Sequence, residues 1–286
     1  MIRRRDVVGW LGASALASAC RPGRTATEVS ANPISGVLFD LFTLFDPRGV
    51  DARVEQVIGQ GSLATTWKTR LFEYCWIRAA AGQFVPFDQL VRDSLEYAAR
   101  ASQIEISSGD RATLCDAFTE LELWPDAAET LTTLRTRGLK LAPLANYAPT
   151  MIDQLLGRVG ILGLFDELLS TQRAETYKPA RAAYALGERA FGLPRERIAF
   201  AAFGGWDAAG ARWFGYPTFW VHRGGAQRTG GGLSPPQNRG GAQRTGGGSS
   251  PPGNRGNAVR EVLIDPTASG GGLRALASWA LSATSE

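Results

Sequence analysis

Short apolar segments alternate along the chain with amphipathic segments, and this alternation constrains the fold more than any other feature of the sequence. The apolar segments have the composition of buried strands and comprise residues 36–39, 139–145, 198–202 and 218–221. Helical periodicity lies between them, in residues 127–137, 150–159, 180–191 and 208–214. Strands that alternate with helices predict right-handed crossovers, and therefore an α/β fold whose parallel sheet is covered by helices on both faces.

A block of helices without a convincing strand follows the first strand. It spans residues 51–122 and carries aromatic-rich helical patterns over 63–81, 87–101 and 110–121. Ligands of parallel α/β sheets bind beyond the carboxyl ends of the strands, so an insertion at this point is predicted to lie over that crevice as a lid. The predicted organisation is therefore a core of residues 34–50 and 123–223 with an inserted helical cap of residues 51–122.

The first twenty residues have the layout of an export signal. Three arginines at 3–5 precede an apolar stretch at 7–16 and a run of small residues that ends at Cys20. The arginines are typical of a twin-arginine signal, and residues 17–20 resemble a bacterial lipobox, in which the cysteine carries the lipid. An exported protein is predicted, either periplasmic or anchored in the membrane through Cys20. A cytoplasmic protein with a non-functional signal is the alternative.

Two polar segments are predicted to lie outside the folded core, a linker at 21–33 and a tandem repeat at 224–255. The repeat consists of two nearly identical copies of sixteen residues, rich in Gly and Pro and with a single Leu. Apolar burial therefore does not offset the entropy cost of ordering it. The repeat also holds four Arg and no acid, so the net charge of +4 comes entirely from it. This distribution argues against a basic nucleic-acid-binding face on the core.

Polar residues follow three of the predicted strands. Asp40 and Asn146 come directly after the first and second strands, and Asp207 lies a few residues after the third. Because the carboxyl ends of parallel strands meet at one edge of the sheet, these side chains are expected to converge on one crevice. A single His at 222 and three cysteines without a Cys-x-x-Cys pair argue against a zinc site.

Four motifs occur in order along the predicted core and cap. They are Phe39-Asp40-Leu41-Phe42-Thr43-Leu44-Phe45-Asp46, Trp67-Lys68 with residues 71–78, Tyr177-Lys178-Pro179, and Trp206-Asp207 with residues 208–212. Together they resemble the type II 2-haloacid dehalogenases of the haloacid dehalogenase superfamily, over residues 36–223 and again over 257–286 as the last part of the core. The resemblance implies a Rossmann-like core with a helical cap. It also implies hydrolysis of the carbon–halogen bond of short (S)-2-haloacids, without a metal or another cofactor.

The resemblance assigns roles to individual residues. Asp40 is implied as the nucleophile that displaces halide from C2, giving an aspartyl ester that water then opens. Lys178 is implied to keep Asp40 ionised, because a carboxylate under an apolar lid otherwise takes up a proton. Asp207 is implied to hold Lys178 in place. The other implied active-site donors are Thr43, Asn146 and Tyr184. The implied substrate and halide contacts are Lys68, Phe42 and Trp206.

Phe42 separates dehalogenation from phosphoryl transfer. Phosphatases of the superfamily carry an Asp two residues after the nucleophile and bind Mg²⁺ there, which the charged phosphoryl group requires. Here that residue is Phe42. The sequence therefore favours a dehalogenase over a phosphatase and argues against a metal site.

Several donors of the family pattern are absent from this chain. The loop after Asp40 is one residue shorter than in the family pattern, because it lacks the family's glycine before Thr43. This shortening is expected to displace Thr43. The pattern has Ser where this chain has Ala145 and Ala202, and Asn where it has Gly204. It has Arg and Gln where this chain has Lys68 and Thr69. Pro143 also removes a hydrogen-bond donor from a strand that is expected to be central.

Two functional hypotheses therefore stay open. The first is an exported hydrolase of the 2-haloacid dehalogenase type, weakened by its lost donors. The second is a catalytically impaired relative that keeps a small-anion pocket and acts as an exported binding or surface protein. The expected partner is a small halogenated carboxylic acid, with no nucleic acid, and with a membrane only through a lipid on Cys20. A homodimer is also compatible with the resemblance.

Overall fold

The computed structural model describes residues 33–223 and 263–282. The predicted signal with its lipidation residue Cys20, the linker up to residue 32 and the tandem repeat at 224–255 lie outside the described residues. Those predictions are therefore not tested by the structure.

Six strands form one sheet in which every neighbouring pair is parallel. In chain order they are β1 (Gly36–Phe39), β2 (Lys140–Ala145), β3 (Leu169–Ser170), β4 (Ile198–Ala202), β5 (Thr218–Val221) and β6 (Ala268–Gly270). Their order across the sheet is β3-β2-β1-β4-β5-β6. The predicted α/β fold with a parallel sheet is confirmed, and all four predicted strands are present. β1 and β4 lie at the centre and are buried throughout, which explains their continuous apolar sequences.

Two edge strands were missed by the hydrophobic pattern. β3 contains only Leu169 and Ser170 and is defined by its pairing with the end of β2. β6 reads Ala-Ser-Gly, is partly exposed, and lies beyond the tandem repeat in sequence. Short edge strands bury little apolar surface, so their sequences carry no run that the pattern detects.

Pro143 does not interrupt β2. The N–H of Leu141 points away from β1 and donates to the carboxylate of Asp166 at 2.8 Å. Residues two apart in a strand direct their N–H groups to the same side, so the N–H that Pro143 lacks also faces away from β1. β3 pairs with β2 only from Leu144 onward. The expected loss of a ladder bond in the sheet centre is therefore avoided, because the β1–β2 ladder keeps its donors.

Ten α-helices connect or flank these strands in the described residues. They are α1 (Leu41–Leu44), α2 (Arg48–Ile58), α3 (Ser62–Ala81), α4 (Phe87–Ala101), α5 (Ser108–Asp116), α6 (Ala127–Thr136), α7 (Pro149–Arg158), α8 (Arg181–Phe191), α9 (Gly205–Phe214) and α10 (Leu273–Ser282). None of the described helices is long and apolar enough to cross a membrane.

The helical block predicted at 51–122 contains α2 to α5 between β1 and β2. α4 has the predicted bounds, and α3 begins one residue earlier than predicted. α5 ends at Asp116 rather than at residue 121. The boundary predicted at residue 51 falls inside α2, which begins directly after Pro47. α2 ends at Ile58, and Gly59 caps it with a left-handed φ of 72°.

Side chains of β1 alternate between two buried clusters, as the period of a strand requires. Val37 and Phe39 belong to the cluster that also contains Trp67 of α3 and Leu90 of α4. Leu38 belongs to the second cluster, on the other face, with Tyr184 of α8. The helical insertion thus shares one continuous apolar core with the sheet, which fixes its aromatic side chains relative to the carboxyl ends of the strands.

Candidate active site

Asp40 lies at the carboxyl end of β1, where its backbone is held from both sides. Its N–H donates to the carbonyl oxygen of Ala201 in β4 at 2.9 Å. Its own carbonyl oxygen accepts the N–H of Thr43 at 2.9 Å and the Thr43 hydroxyl at 2.6 Å, which closes the turn into α1. The Asp40 side chain keeps 17% of its surface exposed and lines a cavity at the strand ends. The carboxylate is therefore both fixed and accessible.

The Lys178 ammonium bridges two carboxylates at this cavity. Its Nζ lies 2.8 Å from Oδ1 of Asp40 and 2.7 Å from Oδ2 of Asp207. Lys178 and Asp207 are each only 1% exposed. Burial acts to lower the pKa of Lys178, but the two carboxylates outweigh it and raise that pKa. The lysine therefore stays charged and supplies the fixed cation beside Asp40.

Asp207 is held by Tyr184 as well as by Lys178. The Tyr184 hydroxyl donates to Oδ1 of Asp207 at 2.6 Å, so each carboxylate oxygen has a strong partner. Burial raises the pKa of Asp207, and the positive charge of Lys178 opposes this rise. A Cβ atom at Gly210 would lie only 2.5 Å from the Tyr184 hydroxyl, so glycine at that position makes room for it. Asp207 also lies in the first turn of α9, where the helix dipole favours negative charge.

Asn146 contacts the backbone of the lysine segment. Its side-chain oxygen accepts the N–H of Lys178 at 2.9 Å and the Thr171 hydroxyl at 3.4 Å. Because the oxygen is occupied by these donors, the amide NH₂ of Asn146 is left for the cavity that this residue lines. Asn146 thus fixes the backbone of Lys178 and also forms part of the cavity wall.

Aromatic side chains form most of the remaining cavity wall. Phe72 of α3 and Phe87 of α4 contribute from the helical insertion, and Tyr147 and Phe203 from the loops after β2 and β4. Phe42 and Trp206, predicted as substrate or halide contacts, also line the cavity. Its free volume is about 30 Å³. Sequence reasoning identified an apolar lid but not these four aromatic residues individually, although Tyr147 and Phe203 lie within two residues of the ends of predicted strands.

Phe42 occupies the position at which a phosphatase would carry its second Asp. Its ring packs edge-to-face on Tyr147 at 6.3 Å and on Phe203 at 5.9 Å. In residues 33–223 and 263–282, no group of three or more His, Cys, Asp or Glu side chains is arranged to hold a metal ion. The ammonium of Lys178 instead joins Asp40, which lines the cavity, to the buried Asp207, which does not.

Lys68 lies away from the other predicted site residues. It is buried in α3, and its Nζ pairs with Oδ1 of Asp51 in α2 at 2.5 Å. Burial lowers the pKa of Lys68, and Asp51 opposes this shift. Lys68 does not line the cavity, whereas Phe72, one helical turn further along α3, does. The resemblance assigns a halide-binding cation to position 68. In the structure, α3 instead contributes the aromatic ring of Phe72 to the cavity wall.

Gly204 and Trp206 are spatially linked. A Cβ atom at Gly204 would lie 2.8 Å from Nε1 of Trp206, so the indole fills the space that a longer side chain at 204 would need. The indole also packs against Phe72 at 5.7 Å and Trp76 at 5.6 Å between ring centres. An Asn at position 204, as in the family pattern, would therefore require Trp206 to move.

Two side chains from distant segments hold the shortened loop after Asp40. Nε1 of Trp124 donates to the carbonyl oxygen of Phe42 at 3.1 Å, and Arg223 donates to that of Thr43 at 2.7 Å. The Arg223 guanidinium lies over the Trp124 ring at 4.9 Å and pairs with Asp126 at 2.7 Å. Thr43 is buried and its hydroxyl bonds to backbone, so it supports the turn and does not line the cavity. Sequence reasoning missed Trp124 and Arg223, which no local motif marks.

The comparisons with known proteins agree on one family. A model of the haloacid dehalogenase-like hydrolases matches residues 34–215. The (S)-2-haloacid dehalogenase of Pseudomonas sp. strain YL is 38% identical over 195 residues, covering 67% of this chain and 84% of that relative. A crystal structure of an L-2-haloacid dehalogenase has a TM-score of 0.72 and 34% identity, covering 87% of this chain and 99% of the other.

A second crystal structure shows an L-2-haloacid dehalogenase from Xanthobacter autotrophicus with chloropropionic acid covalently bound. It has a TM-score of 0.63 and 32% identity, covering 66% of this chain and 78% of the other. The family match spans β1 to β4 and the helical insertion, and it includes Asp40, Lys178 and Asp207. The chain therefore belongs to the haloacid dehalogenase-like hydrolases, and its resemblance to the 2-haloacid dehalogenases is confirmed.

Proposed function

We propose that this hydrolase cleaves the carbon–halogen bond of short (S)-2-haloacids through an ester formed on Asp40. The observation that carries the proposal is the contact of the buried Lys178 ammonium with both Asp40 and Asp207. The ammonium places a fixed positive charge beside the nucleophilic carboxylate beneath an apolar lid. Relatives named (S)-2-haloacid dehalogenases, and the related structure with chloropropionic acid covalently bound, support the same substrate class.

In the first step, the Asp40 carboxylate attacks C2 of the acid in line with the departing halide. Lys178 donates to Oδ1, which leaves Oδ2 of Asp40 to approach C2. The new bond joins the Asp40 oxygen to C2, and the halide leaves with the electron pair of the broken bond. No proton is transferred in this step. The step therefore requires only that the Asp40 carboxylate is ionised, held in position and kept from water.

In the second step, water adds to the carbonyl carbon of the Asp40 ester. The ester bond breaks on the Asp40 side, the 2-hydroxyacid leaves, and the water oxygen stays in the regenerated carboxylate. One proton of the water ends on the hydroxyl oxygen of the 2-hydroxyacid, and the other is released, so the two steps together yield one halide ion and one proton. Lys178 stays paired with Asp207 while Asp40 is esterified, so the cation does not need to move between the two steps.

The proposed reaction needs no metal. A metal-dependent superfamily site would use oxygen ligands beside the nucleophile, whereas Phe42 is apolar and Lys178 already neutralises charge between Asp40 and Asp207. We expect release of halide from (S)-2-chloropropionate to be unchanged by EDTA. A rate that EDTA abolishes and Mg²⁺ restores would contradict this part of the proposal.

Incubation with (S)-2-chloropropionate in oxygen-18 water tests the ester mechanism. Because the water oxygen stays in the carboxylate, we expect the label in the peptide that contains Asp40 after many turnovers, read by mass spectrometry. The peptide that contains Asp207 serves as the internal control and should stay unlabelled. Label found only in the released hydroxyacid would indicate direct attack of water on C2 and would sink the ester mechanism.

The binding-protein hypothesis retains specific support. Ala145, Ala202 and Gly204 offer no side-chain donors, and Lys68 is paired with Asp51. Each donor lost from a transition state costs about 10- to 1000-fold in rate. An inert protein that nevertheless binds short carboxylic acids would favour this second function, that of an exported small-anion-binding relative.

We also propose that the chain is exported by the twin-arginine route. The support is the sequence alone: the arginines at 3–5, the short apolar stretch and the small residues before Cys20. We expect Arg4→Lys with Arg5→Lys to retain the protein in the cytoplasm, as read by cell fractionation. The matched control is Arg21→Lys with Arg24→Lys, which should be exported normally. Export of both variants to the same extent would refute the route, and a mature N-terminus without lipid would refute anchoring through Cys20.

A further inference from the structure

The Tyr147 hydroxyl is a buried polar group without a partner at the cavity. Tyr147 is 3% exposed, and no hydrogen-bonding group of the described residues contacts its hydroxyl. The ring nevertheless has a fixed position, stacked on Phe87 with ring centres 4.8 Å apart. The Tyr147 carbonyl oxygen accepts the Ser170 hydroxyl at 2.6 Å, which fixes the backbone as well. The hydroxyl is therefore held in place although it bonds to no group within residues 33–223 and 263–282.

The other buried tyrosine hydroxyls in the described residues are satisfied. Tyr184 donates to Asp207, Tyr177 donates to the carbonyl oxygen of Val85, and Tyr216 donates to that of Tyr184. A buried hydroxyl without a partner destabilises a folded protein, so an unsatisfied one calls for a specific explanation. Tyr147 differs from these three in lining the cavity beside Asp40. A ligand in that cavity is the partner that the protein itself does not provide.

We propose that the Tyr147 hydroxyl donates a hydrogen bond to the carboxylate of the bound acid. The inference rests on the proposed function for the identity of the ligand, and it names a substrate-binding residue to which the family motifs assign no role. Tyr147 directly follows Asn146, which lines the same cavity and whose side-chain oxygen is already occupied by the N–H of Lys178. Two neighbouring donors on the loop after β2 thus form one site for a carboxylate.

We assign the hydroxyl to the carboxylate and not to the halide, because carboxylate oxygens accept charge-assisted hydrogen bonds. In-line attack by Asp40 places the halide on the far side of C2, and the carboxylate to one side of the line of attack. Ala145, the last residue of β2, replaces the serine of the family pattern, so a hydroxyl is lost two residues before Tyr147. Tyr147 therefore supplies a hydroxyl donor close to the position that lost one.

The electrostatics of the cavity keep Tyr147 a donor. Burial raises the pKa of Tyr147 well above its usual value, and the negative charge of Asp40 raises it further. A neutral phenol beside an ionised Asp40 has one proton to donate and adds no negative charge that would repel an anionic substrate.

Propionate binding tests the inference without requiring turnover. We expect Tyr147→Phe to weaken the dissociation constant of propionate by about 10- to 100-fold, measured by calorimetry on the full-length protein, because a bond to a charged group is lost. The same variant should unfold at the same temperature as the wild type or at a higher one without ligand, since the oxygen removed has no partner in the protein. The matched control is Tyr177→Phe, which removes a hydroxyl bonded to Val85 outside the cavity. It should lower the unfolding temperature and leave propionate affinity unchanged.

The outcomes separate this inference from the proposed function. An inert wild type that binds propionate through Tyr147 would overturn the hydrolase proposal and leave this inference standing. Equal propionate affinities of wild type and Tyr147→Phe, or no propionate binding by the wild type, would overturn the inference. A variant that loses affinity for sodium bromide but not for propionate would also overturn it, by assigning the hydroxyl to the halide.

Discussion

We expect Asp40→Asn to abolish halide release from (S)-2-chloropropionate and to leave the fold intact. The amide has the shape of the carboxylate and keeps an oxygen for Lys178, but it lacks the negative charge that displaces halide. Loss of a covalent nucleophile is expected to lower the rate by about 10⁴-fold or more, to the background of the assay. The measurement is chloride release at saturating substrate, with circular dichroism as the check on folding.

Asp46→Asn is the matched control for this substitution. Asp46 lies in the same loop, but its carboxylate pairs with Arg48 rather than with Lys178, and it does not line the cavity. Release of halide by this control should stay within a factor of a few of the wild-type rate. Comparable activity of wild type and Asp40→Asn would exclude Asp40 as the nucleophile. If both are inert, the wild type is not a dehalogenase under these conditions, and the binding hypothesis gains support.

The central triad could be predicted because the strands that carry it have strong sequence signals. β1 is a buried apolar run, and Asp40 is the polar residue at which that run ends. Lys178 and Asp207 lie in motifs that a resemblance recognises. The topology of a parallel sheet then brings residues 40, 178 and 207 to one edge, although they are far apart in the chain.

The cavity wall and the support of the nucleophile loop could not be predicted in the same way. Trp124 and Arg223 bond to consecutive carbonyl oxygens of α1 from 82 and 180 residues away. Backbone carbonyls exist at every residue, so no side-chain pattern marks such a contact in the sequence. The same limit applies to Lys68, because its partner Asp51 lies on another helix and local spacing does not reveal the pair.

The shortened loop shows how a local departure is accommodated. Its missing residue was expected to displace Thr43, and in the structure the Thr43 hydroxyl bonds to the Asp40 carbonyl oxygen, not to a carboxylate. The turn nevertheless holds Asp40 against Lys178, because Trp124 and Arg223 fix the Phe42 and Thr43 carbonyls from outside. The loop thus preserves the position of the nucleophile while Thr43 changes from a potential cavity donor to a support of the turn.

Lys178→Met should nearly abolish halide release, by about 10³-fold or more. Without the ammonium, Asp40 and Asp207 face each other across a buried site, and one of them takes up a proton in place of the lost cation. A protonated Asp40 is no nucleophile. Removing one partner from a buried ion pair also destabilises the fold, by about 3–5 kcal/mol, so the rate must be measured under conditions in which circular dichroism shows the variant to be folded.

The pH dependence of stability gives a second measure of the same variant. A buried carboxyl group whose pKa is raised in the folded state stabilises the fold at low pH, and that contribution is lost as the pH rises through the raised pKa. Burial already raises the pKa of Asp207 in the wild type, where Lys178 opposes the effect. Removal of Lys178 takes away that opposition. The deficit in unfolding free energy of Lys178→Met relative to the wild type is therefore expected to grow from pH 5 to pH 8 in urea titrations.

Two other lysines provide controls that separate charge at the site from charge in general. Lys140 lies at the opposite end of β2, exposed, and donates to the carbonyl oxygen of Phe191, so Lys140→Met should keep the wild-type rate. Lys68→Met removes the cation that the resemblance links to the halide but that the structure pairs with Asp51 outside the cavity. We expect it to lower stability and to change halide release by less than about 10-fold. A loss as large as that of Lys178→Met would instead mean that Lys68 leaves Asp51 and reaches the halide during the reaction, and that the leaving group depends on a second cation.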